Sequence, residues 1–545
     1  MKNNKGITLI ALVVTIVVLL ILAGVSIGML AGENGIIRQA QSARENTRGA
    51  SAKEEIDLWK SNVKMDGLTN SETAEEVDDV LNRLVENGTL KQEEADKLKN
   101  GETIKIGDTE ISLDGTTGGG SGNGNDEQVA ADSLGIVPEI NKEEMTPVKY
   151  EDGEWKEVED LSKPGEWFAY SEKQWANVET ENGYFVYIPR YAYKITSGYH
   201  QSLTNAGTMA VVFLNEDNTL KTTTDSEGNT VSASDLIHAN EVNSAEEGVG
   251  LNATTKYIIH PAFEAFDTAD KKVDGLWVAK YEMSMEGTTD GGTTWNNIET
   301  SNSSIGDVSI KTDTTKRMVS KPGVSSWRSI QVTNIFDNCY NMNRTLDSHM
   351  MKNTEWGAVA YLTVSKYGKG ATSEVEQNKS GSYMTGYGSD STLSTGAAST
   401  TGNMYGIFDM SGGAYEYVAG YLEDECMVKD TGSRYSYNAN LVEAESKYKD
   451  VYSTGTTNSF TDSYTANNSK VGDGLWEVIS NTGSTYGWYG DYCIFVGLDD
   501  SAHYPVFSRG GHYRDSNSDA GVFCAYSGHG SGHGNNSFRV VCVVE

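Results

Sequence analysis

Residues 402–420, GNMYGIFDMSGGAYEYVAG, and the C-terminal run 507–545, FSRGGHYRDSNSDAGVFCAYSGHGSGHGNNSFRVVCVVE, decide how the second half of this 545-residue chain is read. The stretch FRVVCVV at the end is apolar on both faces, which predicts an internal strand. Between RGG and FRVV, residues His512 to Asn536 include no Lys, Glu or Gln, the residues that normally solubilise an exposed segment. The absence extends further: none of the 56 residues from Tyr489 to Val544 is Lys, Glu, Gln, Met or Trp, whereas the preceding 56 contain eight of these. Those five amino acids cannot be reached when the first two bases of an AAC or AAT codon are replaced freely, and all the others can. What remains, Tyr, Ser, Gly, Asn and His with an occasional Arg or Asp, is the composition of an antibody-like paratope.

Upstream, GYFVYIPRYAYKI (183–195) and DGLWVAKYEMS (274–284) read as strands, and TEWGAVAYLTVSKYG (354–368) carries Trp356, Ala360 and Val364 at helical spacing, predicting a helix ended by Gly368. Gly, Thr, Ser, Asn and Tyr dominate throughout, so long ordered loops are expected, and function is expected on them. Arg509 and Arg539 are expected to tie loops to backbone carbonyls, and Trp277, Trp356 and Trp488 to lie in the core.

The order of blocks, FVYIPRYAYKI, LWVAKYEMS, KPGVSSWRSI, NTEWGAVAYL, GNMYGIFDMSGGAYEYVAG, RGG and SFRVV, resembles the sulfatase-modifying-factor family, the formylglycine-generating-enzyme type of C-type-lectin fold, over about 184–545. One departure is Gly413, where that family usually has Asn. The resemblance implies a lectin-like domain over 131–545. The oxidase branch of the family binds copper through two cysteines placed close to what are here Asp515 and Ala520; neither is a cysteine, so no catalysis is expected. Terminal segments of this composition on this fold resemble the variable regions of diversity-generating retroelements, in which an error-prone reverse transcriptase rewrites adenines copied from a template repeat. Gly510, Gly511, Gly521, Val522, Phe523, Phe538 and Val540 would then be fixed. Within a variable segment of about 489–537, Tyr489, Cys493, Ser508, His512, Arg514, Asp515, Cys524, Tyr526, Ser527, His529, Ser531 and His533 would form one exposed binding face for a surface protein or glycan.

The N-terminus, MKNNKGITLIALVVTIVVLLILAGVSIGMLAGE, places Lys2 and Lys5 before 26 uncharged residues, Ile7 to Gly32, enough to cross a bilayer as a helix. A basic leader (1–6) ending in Gly6 before Ile7 resembles the prepilin class of signal, although Ile7 and Ala11 stand where that class has Phe and Glu. The expectation is cutting between Gly6 and Ile7 by a prepilin peptidase, a transmembrane helix at 7–32, and contact with other pilin-like subunits. The C-terminal domain would lie outside the cell, on its surface or a pilus. Residues 33–114 then read as a long stem helix, two short amphipathic helices broken at ENGT and a hairpin, TIKIGDTEISL. The fold class expected is therefore α+β: a long transmembrane, pilin-like helix with a small α+β module, then a C-type-lectin-like domain with much irregular loop. A structural pilin-like subunit with a fixed decorating head is the competing expectation.

A net charge of -34 argues against nucleic acid as a partner, because a phosphate backbone needs a Lys/Arg footprint. Five widely spaced cysteines form no CxxC and suggest neither a disulfide framework nor a zinc site. His529 and His533 lie four apart, but SGHGSGHGNN does not favour the helix that would align them. No cofactor is expected, with calcium at Asp409 and Glu416 as the alternative.

The segment DGTTGGGSGNGNDE (114–127) has the composition of a flexible linker, expected over 115–130. Limited proteolysis is expected to cut between Gly115 and Glu127 and release a folded C-terminal fragment. Resistance at these bonds, read by mass spectrometry of the digest, would contradict it.

Overall fold

The computed structural model describes residues 48, 52, 56, 77–87, 89–99, 104–106, 109–111 and 129–544, the last range except 243–254, 269–270, 424, 454–470, 481–485, 494–503 and 517–518. The leader, the apolar segment 7–32, most of the stem and the linker up to residue 128 lie outside them. The chain divides into two compact units, Met1–Asp126 and Glu127–Glu545.

In the first unit, helices Val77–Glu86 and Gln92–Lys99 accompany an antiparallel pair, Ile104–Ile106 with Thr109–Ile111. Leu81, Leu84, Leu98 and Ile106 bury against Ala52 and Ile56. Glu94 accepts two bonds from the Arg48 guanidinium, at 2.6 and 2.9 Å, and one from the backbone N–H of Lys91 at 2.7 Å, which closes the start of the second helix.

Strand outweighs helix in the described chain, and the strands form several antiparallel sheets. This corrects the expected fold class, in which a long helix led and a lectin-like head followed. The reason lies in the Tyr-, Val- and Trp-rich blocks, which pair with one another across large sequence separations and leave few helical segments between them. No helix among the described residues is long and apolar enough to cross a membrane. The expectations of a transmembrane, pilin-like, single-pass membrane protein are corrected accordingly.

The second unit is organised around a seven-stranded antiparallel sheet. Its order is His349–Met350, Val540–Cys542, Gly275–Ala279, Gly183–Pro189, Asn177–Thr180, Thr146–Glu151 and Glu154–Glu157. Trp277 faces Cys542 on one side and Tyr187 on the other; Gly275–Ala279 is buried throughout and Gly183–Pro189 from Phe185 onward, which is why they read as continuous apolar runs. A second sheet carries the C-terminal run. Its central strand, Tyr415–Glu423, pairs with Asp450–Ser453, Val506–Arg509 and Asn536–Phe538, and Ala525–Gly528 lies at the edge beyond Val506–Arg509.

The helix Asn353–Val364 packs against the strand Tyr415–Glu423 and is buried on every side, so the fourfold spacing of Trp356, Ala360 and Val364 marks only one of its contact faces. It ends at Val364, short of the expected Gly368, because Ser365 leaves helical geometry at the C-cap and its hydroxyl bonds back to Leu362 O at 2.7 Å. Gly357 is required: a β-carbon there would lie 1.9 Å from Gly472 O.

Arg539, between the two last strands, joins the layers. Its guanidinium donates to both oxygens of Glu416, at 3.0 and 2.6 Å, and to the carbonyls of Ala279 at 2.8 Å and Phe408 at 2.9 Å. Burial lifts the Glu416 carboxyl to about 7 against the pull of Arg539. Replacing Glu416 by Ala strands a buried guanidinium and is expected to cost about 3–5 kcal/mol, whereas Glu416→Leu with Arg539→Met is expected to recover only part of it, because the carbonyls of Ala279 and Phe408 then lose their donor. Phe538→Ala, a truncation of a fully buried ring, is expected to cost about 3–5 kcal/mol. Urea melts measure all three; a single Glu416 variant as stable as the wild type would remove the pair from the framework.

Candidate ligand-binding face

Strand Val506–Arg509 is buried from end to end, and its partner Ala525–Gly528 is half-buried over its last three residues. Register sets Ser508 opposite Tyr526 and Tyr417, and Phe507 opposite Ser527. Beyond Arg509 the chain turns through Gly510 and Gly511, both at positive φ, and a β-carbon on Gly511 would lie 2.4 Å from Ala520 Cα. Arg509 braces this turn from inside, donating to the carbonyls of Cys524, Asp473 and Gly474 and to Asn353 Oδ1 at 2.7 Å.

The loop that follows meets framework aromatics. The Tyr415 ring stacks on His512 with centroids 5.4 Å apart and meets Tyr526 edge-on at 4.9 Å. Its hydroxyl donates to Asp515 Oδ2 at 2.8 Å, which also accepts the His512 N–H at 2.9 Å. His512 Nδ1 accepts the Arg514 N–H at 3.3 Å, so Nε2 carries the proton and donates to Tyr383 Oη at 2.9 Å. Burial, with Arg514, Arg328 and His533 nearby, lowers His512 to about 4, leaving the ring uncharged at neutral pH. The contacts continue from Tyr526 to Tyr492 at 5.6 Å and from Tyr492 to Tyr486 at 5.5 Å. Tyr383, Tyr415, Tyr526 and Tyr492 are half-buried and Tyr486 is exposed, so a continuous chain of rings borders solvent.

The run Gly528-His529-Gly530-Ser531-Gly532-His533 alternates for a steric reason. A β-carbon on Gly528 would lie 2.9 Å from the Tyr417 ring, one on Gly530 1.9 Å from Asn438 Oδ1, and one on Gly532 2.7 Å from Ser329 O. These three glycines sit against the framework. His529 and Ser531 between them are half-buried and His533 is exposed. The backbone is pinned while side chains at alternate positions remain accessible: Gly530 O accepts from Val332 N at 2.9 Å and His533 O from Ser329 N at 3.0 Å.

Of the twelve residues expected on the face, Arg514 and His533 are exposed, and Tyr489, Asp515, Tyr526, Ser527, His529 and Ser531 are half-buried. His529 stacks on Tyr504 at 4.0 Å. Four are buried. Cys493 and Cys524 are fully enclosed, and burial pushes both thiols above their ordinary range; Cys493 Sγ lies 3.2 Å from Phe523 O. Ser508 lies inside the sheet, and His512 lies beneath the rings of Tyr383 and Tyr415. Tyr489 is partly committed to the framework, its hydroxyl donating to Gly370 O at 3.0 Å. Phe523 and Phe538 are fully buried. Tyr492, Tyr504 and Tyr513 were legible as members of the Lys- and Glu-free run and Tyr415 as part of the 402–420 block; no local pattern marks Tyr383.

Beneath the face, Asp409 accepts from Asn378 Nδ2 at 2.9 Å and from Gly386 N at 2.8 and 3.0 Å, while both Glu416 oxygens are held by Arg539. These two carboxyls are thus engaged by protein donors at the position considered for calcium. Among the described residues no group of three or more His, Cys, Asp or Glu is placed to hold a metal ion. At Gly413 a β-carbon would lie 2.4 Å from Glu282 Oε1. No known family model matches the chain, and no curated protein matches it.

Single Gly530→Ala and Gly532→Ala variants are expected to lower the melting temperature clearly, whereas His529→Ala, Ser531→Ala and His533→Ala should each change stability by no more than about 0.5 kcal/mol. Equal losses in the two sets, read by calorimetry, would show that the alternating side chains belong to the framework.

Proposed function

We propose that the second unit is a ligand-binding domain whose face, within about 489–537, is one product of retroelement diversification, and that it performs no catalysis. The observation that carries this reading is the coincidence of two independent patterns. The run that lacks Lys, Glu, Gln, Met and Trp is also the run in which framework-packed glycines alternate with accessible His and Ser side chains. The block order resembling the sulfatase-modifying-factor family supports the same reading, as does the wealth of tyrosine, which gives contact area at small entropic cost. The ligand class is a protein or glycan surface, since rings and short polar groups arrayed along an open edge suit broad contact. Arg514 beside Tyr513, and His529 beside Tyr504, are side chains that could change identity without disturbing the sheets below.

Two measurements test it. The DNA beside the gene should hold a near-copy of the segment encoding 489–537, with adenines at the mismatched positions, and a reverse transcriptase. Joint replacement of Arg514, His529, Ser531 and His533 by Ala should leave the melting temperature nearly unchanged and alter capture in a screen of immobilised proteins and glycans. Absence of the template copy would leave a fixed binding face; unfolding of the quadruple variant would end the binding-face reading itself.

A further inference from the structure

Two carboxyl groups meet under the face. Asp491 is fully buried and Glu374, on a framework loop, is half-buried. Both close over the α-carbon of Gly521: a β-carbon there would lie 2.3 Å from Asp491 Oδ2, 2.5 Å from Asp491 Oδ1 and 2.5 Å from Glu374 Oε1. Asp491 Oδ2 accepts the backbone N–H of Phe523 at 3.0 Å. The other two oxygens of this cluster, Asp491 Oδ1 and Glu374 Oε1, are buried and accept from no donor. As two carboxylates they would repel in a medium that screens poorly; one hydrogen satisfies both, the protonated group donating to the ionised one.

We propose that Glu374 and Asp491 share a single proton at neutral pH, and that this proton clamps the turn Gly521–Phe523 and the segment around Asp491 to the framework loop carrying Glu374. Its loss at alkaline pH loosens the floor of the face. The clamp holds whether or not the face binds a ligand.

The groups around the pair do not replace the proton. Lys369 lies near Glu374 and Arg509 near Asp491, each favouring the ionised form, but burial outweighs both. Glu374 is raised to about 7 and Asp491 well above the carboxylate range. Tyr489 faces both carboxyls, and Cys493 and Cys524 face Asp491; burial keeps all three protonated, and Asp473 adds further negative potential at Cys493. Both carboxyls are raised above their unfolded values, so the folded state holds the extra proton. The stabilisation is complete at acid pH and is lost as pH rises through about 7 and beyond. His512, lowered to about 4, is already uncharged in that window. Glu139 and Glu416, each near 7, and Asp473, near 8, titrate there too, so the readout must be local.

Hydrogen exchange at the amides of Gly521, Val522, Phe523 and Cys524, in the full chain and corrected for the intrinsic base-catalysed rate, supplies it. Between about pH 6 and about pH 9 the wild type is expected to lose protection there by about tenfold or more. Glu374→Gln, whose amide donates to Asp491 without titrating, is expected to lose none at these amides. Asp491→Asn makes the converse arrangement and carries the same expectation should the first variant not fold. Unchanged protection in the wild type overturns the clamp whatever the variants do, and an equal loss in a folded variant overturns it as well.

Discussion

The second unit depends on the buried contact between Arg539 and Glu416. Four segments converge on one guanidinium: the strand Tyr415–Glu423 through Glu416, the strand Gly275–Ala279 through its last carbonyl, the Phe408 carbonyl, and the C-terminal strands that carry Arg539 itself. Arginine suits the position because its planar fork serves a carboxylate with two donors and still has others for carbonyls. An apolar side chain would leave the carbonyls of Ala279 and Phe408 without this donor, so the cation settles how the seven-stranded sheet meets the second sheet as well as how strongly. Neighbouring carboxyls are less well provided. Burial pushes Glu282 well up and raises Asp409, because one arginine serves a cluster of three acids. The cluster is close to neutral only if it retains protons.

The face inherits its geometry from this frame. Strand Val506–Arg509 aligns Glu416 with Arg509, and the strand Asn536–Phe538 aligns Ser537 with the same Glu416. The run between them therefore leaves and returns to the core at two points set by one residue. Between those points its backbone is tied to the framework by glycines without room for a β-carbon, and by Arg509, which bonds to Cys524, Asn353 and the 473–474 segment from inside. Side chains that project away from these ties are expected to bear little of the folding energy, which is the physical condition for exchanging them.

Much of this was legible in the sequence, and the remainder was hidden for identifiable reasons. The strands around Trp277 and Val541 declared themselves because residues buried on both sides are apolar without alternation. Arg509 and Arg539 stood out as lone cations inside apolar or glycine-rich blocks. The burial of Cys493, Ser508, Cys524 and His512 was not legible: composition marks a run as unusual, but it carries no register, and a one-residue shift turns each side chain to the opposite face. Tyr383 was invisible because its partner, His512, lies 129 residues away. The expected long helix rested on residues outside the described part of the chain, and in the part described the strand-forming blocks prevail.

The charge of the chain bears on what such a face can select. At -34 the molecule repels anionic partners at long range, an effect that salt screens within about 10 Å. The face itself contributes little to that field. Its rings are neutral, His512 is uncharged at neutral pH, and Asp515 is engaged by the hydroxyl of Tyr415 and the N–H of His512. Among the described residues of the face, Arg514 is a formal charge exposed to solvent. On the proposed binding role, discrimination among partners of similar charge would come from contact: ring faces, the guanidinium at 514, and the polar groups at 527, 529, 531 and 533. These are short-range terms, sensitive to the identity of single side chains and indifferent to the acidic remainder of the molecule. Under the binding role proposed above, a scaffold that pins its backbone with glycine would leave that small set of side chains to decide what is bound.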